Sequence, residues 1–353
     1  MLGKAVGRER KRPGMPGNLL RQGAGDAGST LARFGTVTQI PIPMTNQRYR
    51  LVTRSDLDGV VSAALLKSRG LIDDILFVHP KDVQDGKVEI TGRDITTNLP
   101  YAPACHLAFD HHASETSRVG AAPANLVLDP AAPSAAHVVY RHYGGRAAFP
   151  GVAASLLDAV NKVDSGQFTK DEILDPKGWV LLGFLMDSRT GLGRFRDFGV
   201  SNYQLMMALV DYCGRMDADE ILRQPDVAER VALYGEQAEP FRAQLKRCGK
   251  VHGHLVEVDL RTEETIYAGN RFVVYALYPS CSISMHIMWG RNKQNTVFAI
   301  GKSILNRTAK THIGNLTLKY GGGGHEAAGT CQVSNDRVEA VRAELIQQIT
   351  TDG

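Results

Sequence analysis

From residue 49 onward the chain alternates short apolar strands with helices, and acids and histidines gather immediately behind the strands. That order narrows the fold more than any other feature. Parallel strands need crossover helices, and open sheets of this kind bind ligands beyond the carboxyl ends of their strands. The periodicity predicts strands at 49–53, 75–78, 87–91 and 105–109, with helices at 60–69 and 134–143.

At 353 residues the chain exceeds what one hydrophobic core usually serves, so two domains and a cleft between them are expected. Residues 203–249 read as helical throughout, with Pro225 and Pro240 marking breaks or helix starts. Beyond them, strands are expected at 255–259, 271–278, 282–289 and 296–300, then a helix at 313–319, a glycine run, a strand and a closing helix. The expected organisation is an α/β protein. It has a disordered basic extension at 1–46, a parallel-sheet catalytic domain at 47–200, a helical linker at 201–250 and a smaller α/β domain at 251–350.

The net charge of +4 is misleading about partners, because residues 1–46 carry seven basic and two acidic side chains. The rest holds 34 basic and 35 acidic residues, which argues against a broad cationic surface for duplex nucleic acid. Five cysteines without a C-x-x-C pair read as reduced thiols of a cytoplasmic protein, and the longest apolar run, 179–186, is too short to span a membrane. A transit peptide within the first 46 residues is the alternative to a simple extension.

Three stretches carry chemistry. Arg54-Ser55-Asp56-Leu57-Asp58-Gly59 follows a strand and opens a helix, so two carboxylates could enter one cleft and hold a hard cation, or one could simply cap the helix. Asp110-His111-His112 follows a buried strand and offers metal ligands together with a proton carrier. Asp94 and Asp164 add carboxylates that would otherwise read as turn acids. Gly321-Gly322-Gly323-Gly324-His325, embedded between a helix and a small-residue turn, reads as an anion-binding loop with exposed backbone amides, against the bland reading of a flexible linker.

Taken in order, these residues resemble the DHH phosphoesterases with their associated C-terminal domain, over almost all of 49–333, with nearest likeness to the exopolyphosphatase-like and nanoRNase-like members. Asp56 and Asp58 look like the first motif, Asp94 the second, Asp110-His111-His112 the third, Asp164 the fourth, and 321–329 the C-terminal signature. The resemblance implies one or two Mn²⁺ ions, replaceable by Mg²⁺ or Co²⁺, held by Asp56, Asp58, Asp94, His111 and Asp164. It implies a metal-activated water as nucleophile, His112 and Asp110 as catalytic groups, and a substrate grip by the glycine loop.

One departure stands out. Val52 and Arg54 occupy positions where the family usually has a histidine ligand, so either His79 or His106 fills the gap, or Arg54 supplies fixed positive charge and grips a phosphate. Asp158 competes with Asp164, which is preferred at the expected helix end. Arg189, Arg194, Arg196 and Arg307 are candidates for substrate contact, whereas His137, His142, His252, His254, His286 and His312 read as structural. The expected reaction is hydrolysis of a phosphodiester or phosphoanhydride bond in a small nucleotide or short single-stranded oligonucleotide. Inorganic polyphosphate is the rival substrate, a nucleotide-binding regulator without turnover is the rival of another class, and a homodimer is left open.

Overall fold

The computed structural model describes residues 47–121 and 123–353; the extension expected at 1–46 lies outside them. The first half runs β1 (Tyr49–Arg54), α1 (Leu57–Ser68), β2 (Ile72–Val78), α2 (Pro80–Gln84), β3 (Asp94–Thr97), β4 (Leu107–Asp110), α3 (Ala113–Val119) and β5 (Leu126–Leu128). Helices α4 (Ala135–His142), α5 (Ala154–Ser165), α6 (Lys170–Leu174) and α7 (Gly178–Met186) follow. The strands form a wholly parallel sheet ordered β2-β1-β3-β4-β5, as the alternation predicts.

Helix α1 is the centre of this half. Every residue from Leu57 to Leu66 is buried, against β1 and β2 on one side and α4, α5 and the helix Asn202–Cys213 on the others. Its sequence is apolar all round, as a fully enclosed helix requires, and each large aliphatic side chain buried there contributes roughly 1.5–3 kcal/mol. The same enclosure carries Asp58 inside, where a carboxylate needs partners.

Helices α8 (Asn202–Cys213), α9 (Ala218–Leu222) and α10 (Pro225–Cys248) join the halves. Pro225 sits in the first turn of α10, where its missing N–H costs nothing, but Pro240 lies inside the helix without ending it. The second half comprises β6 (Gly249–His252), β7 (Leu255–Asp259), α11 (Val273–Leu277), β8 (Ile283–Trp289), β9 (Thr296–Lys302), α12 (Ile313–Leu318), β10 (Gly323–Gly324), β11 (Ala328–Val333) and α13 (Val338–Asp352). Its sheet is mixed, ordered β10-β11-β9-β8-β7-β6, with only β7 and β8 parallel. The described residues form one compact unit: α10, α11 and β7 contribute Leu245, Tyr275, Val256 and Val258 to the core that contains Leu51 and Leu57.

Two elements differ from expectation with consequences for the site. Residues 87–91 are irregular, and the strand falls on Asp94–Thr97 instead, where β-branched residues are buried in the middle of the sheet. The stretch 271–278, expected as a strand, is the short helix α11 packed on α6 and α10.

Candidate active site

The carboxyl ends of β1, β3 and β4 lie side by side, and the loops leaving them build the site. At the end of β1 the chain turns so sharply into α1 that a Cβ on Gly59 would lie 2.0 Å from the Arg54 carbonyl oxygen, so no other residue fits there. Asp56 caps α1, accepting from the Gly59 amide at 3.0 Å, and pairs with Arg54 Nε at 3.1 Å. Capping and cleft chemistry therefore belong to the same side chain.

Asp58 is 1% exposed and accepts from the backbone amides of Ala135 and Ala136 at 2.9 and 2.7 Å, the positive end of α4. Burial nonetheless raises its pKa to about 7, and the neighbouring carboxylates of Asp164 and Asp56 push in the same direction. Asp56 is raised as well, by burial first and by Asp164, against the pull of Arg54. In Asp56 and Asp58, burial and the crowding of carboxylates outweigh the positive charge that Arg54 and His111 supply.

Asp110, at the end of β4, is 2% exposed. Its Oδ1 accepts from the His111 amide at 2.8 Å and from His112 Nδ1 at 2.7 Å, while Oδ2 has no partner among the described residues. The Asp110 bond raises the pKa of His112 despite burial. His111 Nδ1 faces the Ala132 carbonyl at 3.2 Å, an acceptor, so it is the nitrogen that carries hydrogen. Its Nε2 is buried 3.0 Å from Asp164 Oδ2 without the geometry of a hydrogen bond. Burial disfavours the charged ring, but Asp164 and Asp58 outweigh it and lift His111 to about 9. Asp164 is the penultimate residue of α5, as expected, and Asp158 on the same helix is exposed.

Asp94 is not brought to this cluster. It begins β3, in register with Arg50 at the amino end of β1, and binds Arg50 at 2.7 and 3.0 Å and the Thr91 amide at 2.7 Å. Because the strand begins at Asp94, its carboxylate lies at the opposite edge of the sheet from Asp56 and Asp110. The residue that leaves β3 toward the site is Asn98, 1% exposed, with φ of 56° and both side-chain polar atoms unpartnered among the described residues. Reading which end of the strand faces the cleft, rather than seeking the nearest aspartate, would have found it. His79 and His106 do not replace the absent histidine either: His79 is exposed and caps α2, and His106 stacks on Tyr49 beside the amino end of β1.

The glycine run is more ordered than an open loop. Gly321 and Gly322 donate to the Leu318 and Thr317 carbonyls, closing α12, and Gly323 and Gly324 form β10. The amides of the four glycines are therefore largely engaged in structure. His325 is exposed, and its pKa is lowered by burial first and then by His112 and Arg54, so the turn presents its imidazole toward the first half of the chain. Arg307 is exposed and donates to the Ile304 carbonyl of its own loop; Ile304 in turn lies near Gly166, beyond Asp164. Arg189 is held by Asp187 at 2.7 Å and feels Asp56 and Asp164. Arg194 donates to the Ile266 carbonyl at 2.8 Å, a structural tie, and Arg196 is exposed.

The structure is similar to that of the pGpG-specific phosphodiesterase PggH from Vibrio cholerae, with 59% identity and a TM-score of 0.77, covering 87% of this chain and 100% of that one. This chain is a DHH phosphoesterase.

Manganese-bound RecJ from Thermus thermophilus is also similar, at 14% identity and a TM-score of 0.48, covering 87% of this chain and 52% of that one. A second manganese-bound exonuclease RecJ matches at 15% identity and 0.40, covering 86% and 90%. No family model matches the chain, and no curated protein does. The residues of this DHH phosphoesterase fit a divalent cation: Asp58, His111 and Asp164 offer ligand atoms within 4.8 Å of one another, as do Asp110, His111 and His112. The unpartnered His111 Nε2 and Asp110 Oδ2, buried beside crowded carboxylates, are the lone pairs such an ion would take. Sequence reasoning missed Asp187 and Arg271, which this DHH phosphoesterase places beside Arg189.

Proposed function

We propose that this enzyme hydrolyses the phosphodiester bond of short linear dinucleotides such as pGpG, releasing two nucleoside monophosphates. The observation that carries the reading is the 59% identity along the whole length of a pGpG-specific phosphodiesterase. It is supported by the convergence of Asp58, His111 and Asp164, with His325 near enough to His112 and Arg54 to feel their charge. A single imidazole-bearing turn suits a small ligand better than a long polymer.

Asp58, His111 and Asp164 would hold the cation, with Asp56 and Asp110 adjoining. When bound, it supplies a nucleophile from water at neutral pH and neutralises phosphoryl oxygens. Manganese is the favoured ion because imidazole joins carboxylates in the donor set, with Mg²⁺ or Co²⁺ as substitutes. Arg54, fixed by Asp56, grips a non-bridging oxygen of the scissile phosphate. His112, whose proton affinity Asp110 raises, holds a proton at Nε2 for the leaving oxygen as the P–O bond breaks. His325 closes over the substrate, with residues 47–200 acting as the catalytic part and 251–350 as the gripping part. The five free cysteines favour a cytoplasmic setting.

The test is incubation with Mn²⁺ and pGpG, cyclic dinucleotides, pyrophosphate or polyphosphate, with products separated by chromatography. Guanosine monophosphate from pGpG is expected. Phosphate release from polyphosphate with pGpG left intact would overturn the reading, and turnover of none would favour a binding role.

A further inference from the structure

Helices α6, α7, α10 and α11 surround a cavity of about 220 Å³. Its walls include Ile173, Leu181, Val231, Phe241 and Val273, and no residue assigned above to the cation or the phosphate lines it. An apolar cavity of about 150 Å³ is enough to hold benzene, so this one has room for a substituted ring.

One polar group in the wall has a hydrogen to give. Tyr234 is 8% exposed, and its hydroxyl accepts weakly from Asn270 Nδ2 at 3.5 Å, a nitrogen already committed to the Ile173 carbonyl at 2.9 Å. Among the described residues no oxygen accepts from that hydroxyl. Burial raises its pKa, so it stays a neutral phenol. A buried donor without an acceptor is costly, and one set in a cavity wall calls for an acceptor on whatever enters.

The entrance shows a second cost. Gly235 stands in the interior of α10, where glycine is less stable than alanine. A Cβ there would meet nothing within 4 Å, so packing does not demand the glycine. Gly235 lies at the exposed rim of the cavity, and what its missing side chain preserves is the way in. The charges at the rim are already matched: Arg242 is engaged by Glu239 and the Leu174 carbonyl, and Asp175 pairs with Lys177 at 2.8 Å. A neutral molecule suits such a site better than an ion, which would lose its hydration for no free partner.

We propose that this cavity is a binding site for a small neutral molecule with one aromatic ring and one carbonyl group, the ring lying among the apolar walls and the carbonyl accepting from Tyr234. Gly269 and Asn270 are the buried floor, and the Gly269 amide also donates to the Thr190 carbonyl at 3.0 Å. A bound molecule therefore braces the segment that leads into α11. Neither the site nor its ligand depends on the dinucleotide reading.

The experiment titrates the full chain with acetophenone and with toluene, which lacks the carbonyl, and follows binding by NMR in the wild type, Tyr234→Phe and Gly235→Leu. Acetophenone is expected to saturate the wild type with a Kd of about 1 mM or tighter. Tyr234→Phe should weaken acetophenone roughly 2- to 10-fold and leave toluene unchanged, as loss of one hydrogen bond implies. Gly235→Leu should abolish binding of both while melting no lower than the wild type, leucine being the better helix former. Hydrogen exchange over 269–273 should slow when acetophenone is bound. Should Tyr234→Phe fail to fold, Gly235→Leu with the exchange measurement decides the matter. Failure of acetophenone to saturate the wild type, or its undiminished binding to Gly235→Leu, would overturn the site. Equal acetophenone affinity in wild type and Tyr234→Phe would overturn the ligand class. A lower association state of Gly235→Leu in sedimentation velocity would also overturn the proposal, assigning the cavity to a side chain of a second copy.

Discussion

Arg50 and Asp94 face each other across the amino ends of β1 and β3, 2.7 Å apart, with Asp94 1% exposed and its second oxygen bound to the Thr91 amide and hydroxyl. Burial opposes the charge on Asp94, but Arg50 and Thr91 overcome it and hold the pKa below its ordinary value. A depressed carboxylate stabilises the fold above its unfolded pKa, and the contribution fades as pH falls through the folded value. Asp94→Asn should therefore cost roughly 1–3 kcal/mol at pH 7, since Arg50 is partly solvated, and less at about pH 3. Denaturant melts at the two pH values check this. Hydrolysis should persist in the folded variant, and its abolition would return Asp94 to the catalytic centre.

Cation affinity should rise with pH. In the cation-free protein His111 is raised to about 9 and Asp58 to about 7, and a ligand must give up its proton to bind. Mn²⁺ titrations by calorimetry should show affinity climbing between pH 6 and 9 with net proton release. His111→Ala should weaken binding by at least the 10- to 100-fold known for lost supporting groups. A flat pH profile would count against His111 Nε2 as a ligand.

Asn98→Asp adds a buried carboxylate at the carboxyl end of β3, between the strand ends that carry Asp56 and Asp110. Without a cation the added repulsion should lower the melting temperature; with Mn²⁺ the extra charge should tighten binding about tenfold or more. Opposite shifts in cation-free Tm and Mn²⁺ Kd are the signature. Unchanged Kd would show that Asn98 points away from the ion.

His325→Ala should lower kcat/KM by about 100-fold while sparing Mn²⁺ affinity, because this imidazole belongs to the second half of the chain and lies near enough to His112 and Arg54 to feel their charge. Calorimetry with Mn²⁺ alone separates the two effects.

The sequence carried the parallel sheet and the residues behind β1 and β4 because Asp56, Asp58, Asp110 and His111 sit close behind strongly apolar strands. It failed at β3, where alternation in 87–91 mimicked a strand and the true one, Asp-Ile-Thr-Thr, starts on a charged residue. That slip put Asp94 on the wrong edge and hid Asn98. Arg271 was hidden for a related reason: β-branched and aromatic residues in 272–278 read as strand, and tertiary packing on α6 and α10 overrides that propensity. Asp187 gave no local signal, since its role depends on two arginines, one of them far along the chain at 271.

The Asp58 carboxylate also anchors the first turn of α4 through Ala135 and Ala136. Neutralising that side chain loosens a helix, and drawing its charge toward an ion redistributes the same two bonds. Hydrogen exchange at these two amides would consequently report, from outside the reaction, whether the centre is charged, protonated or filled.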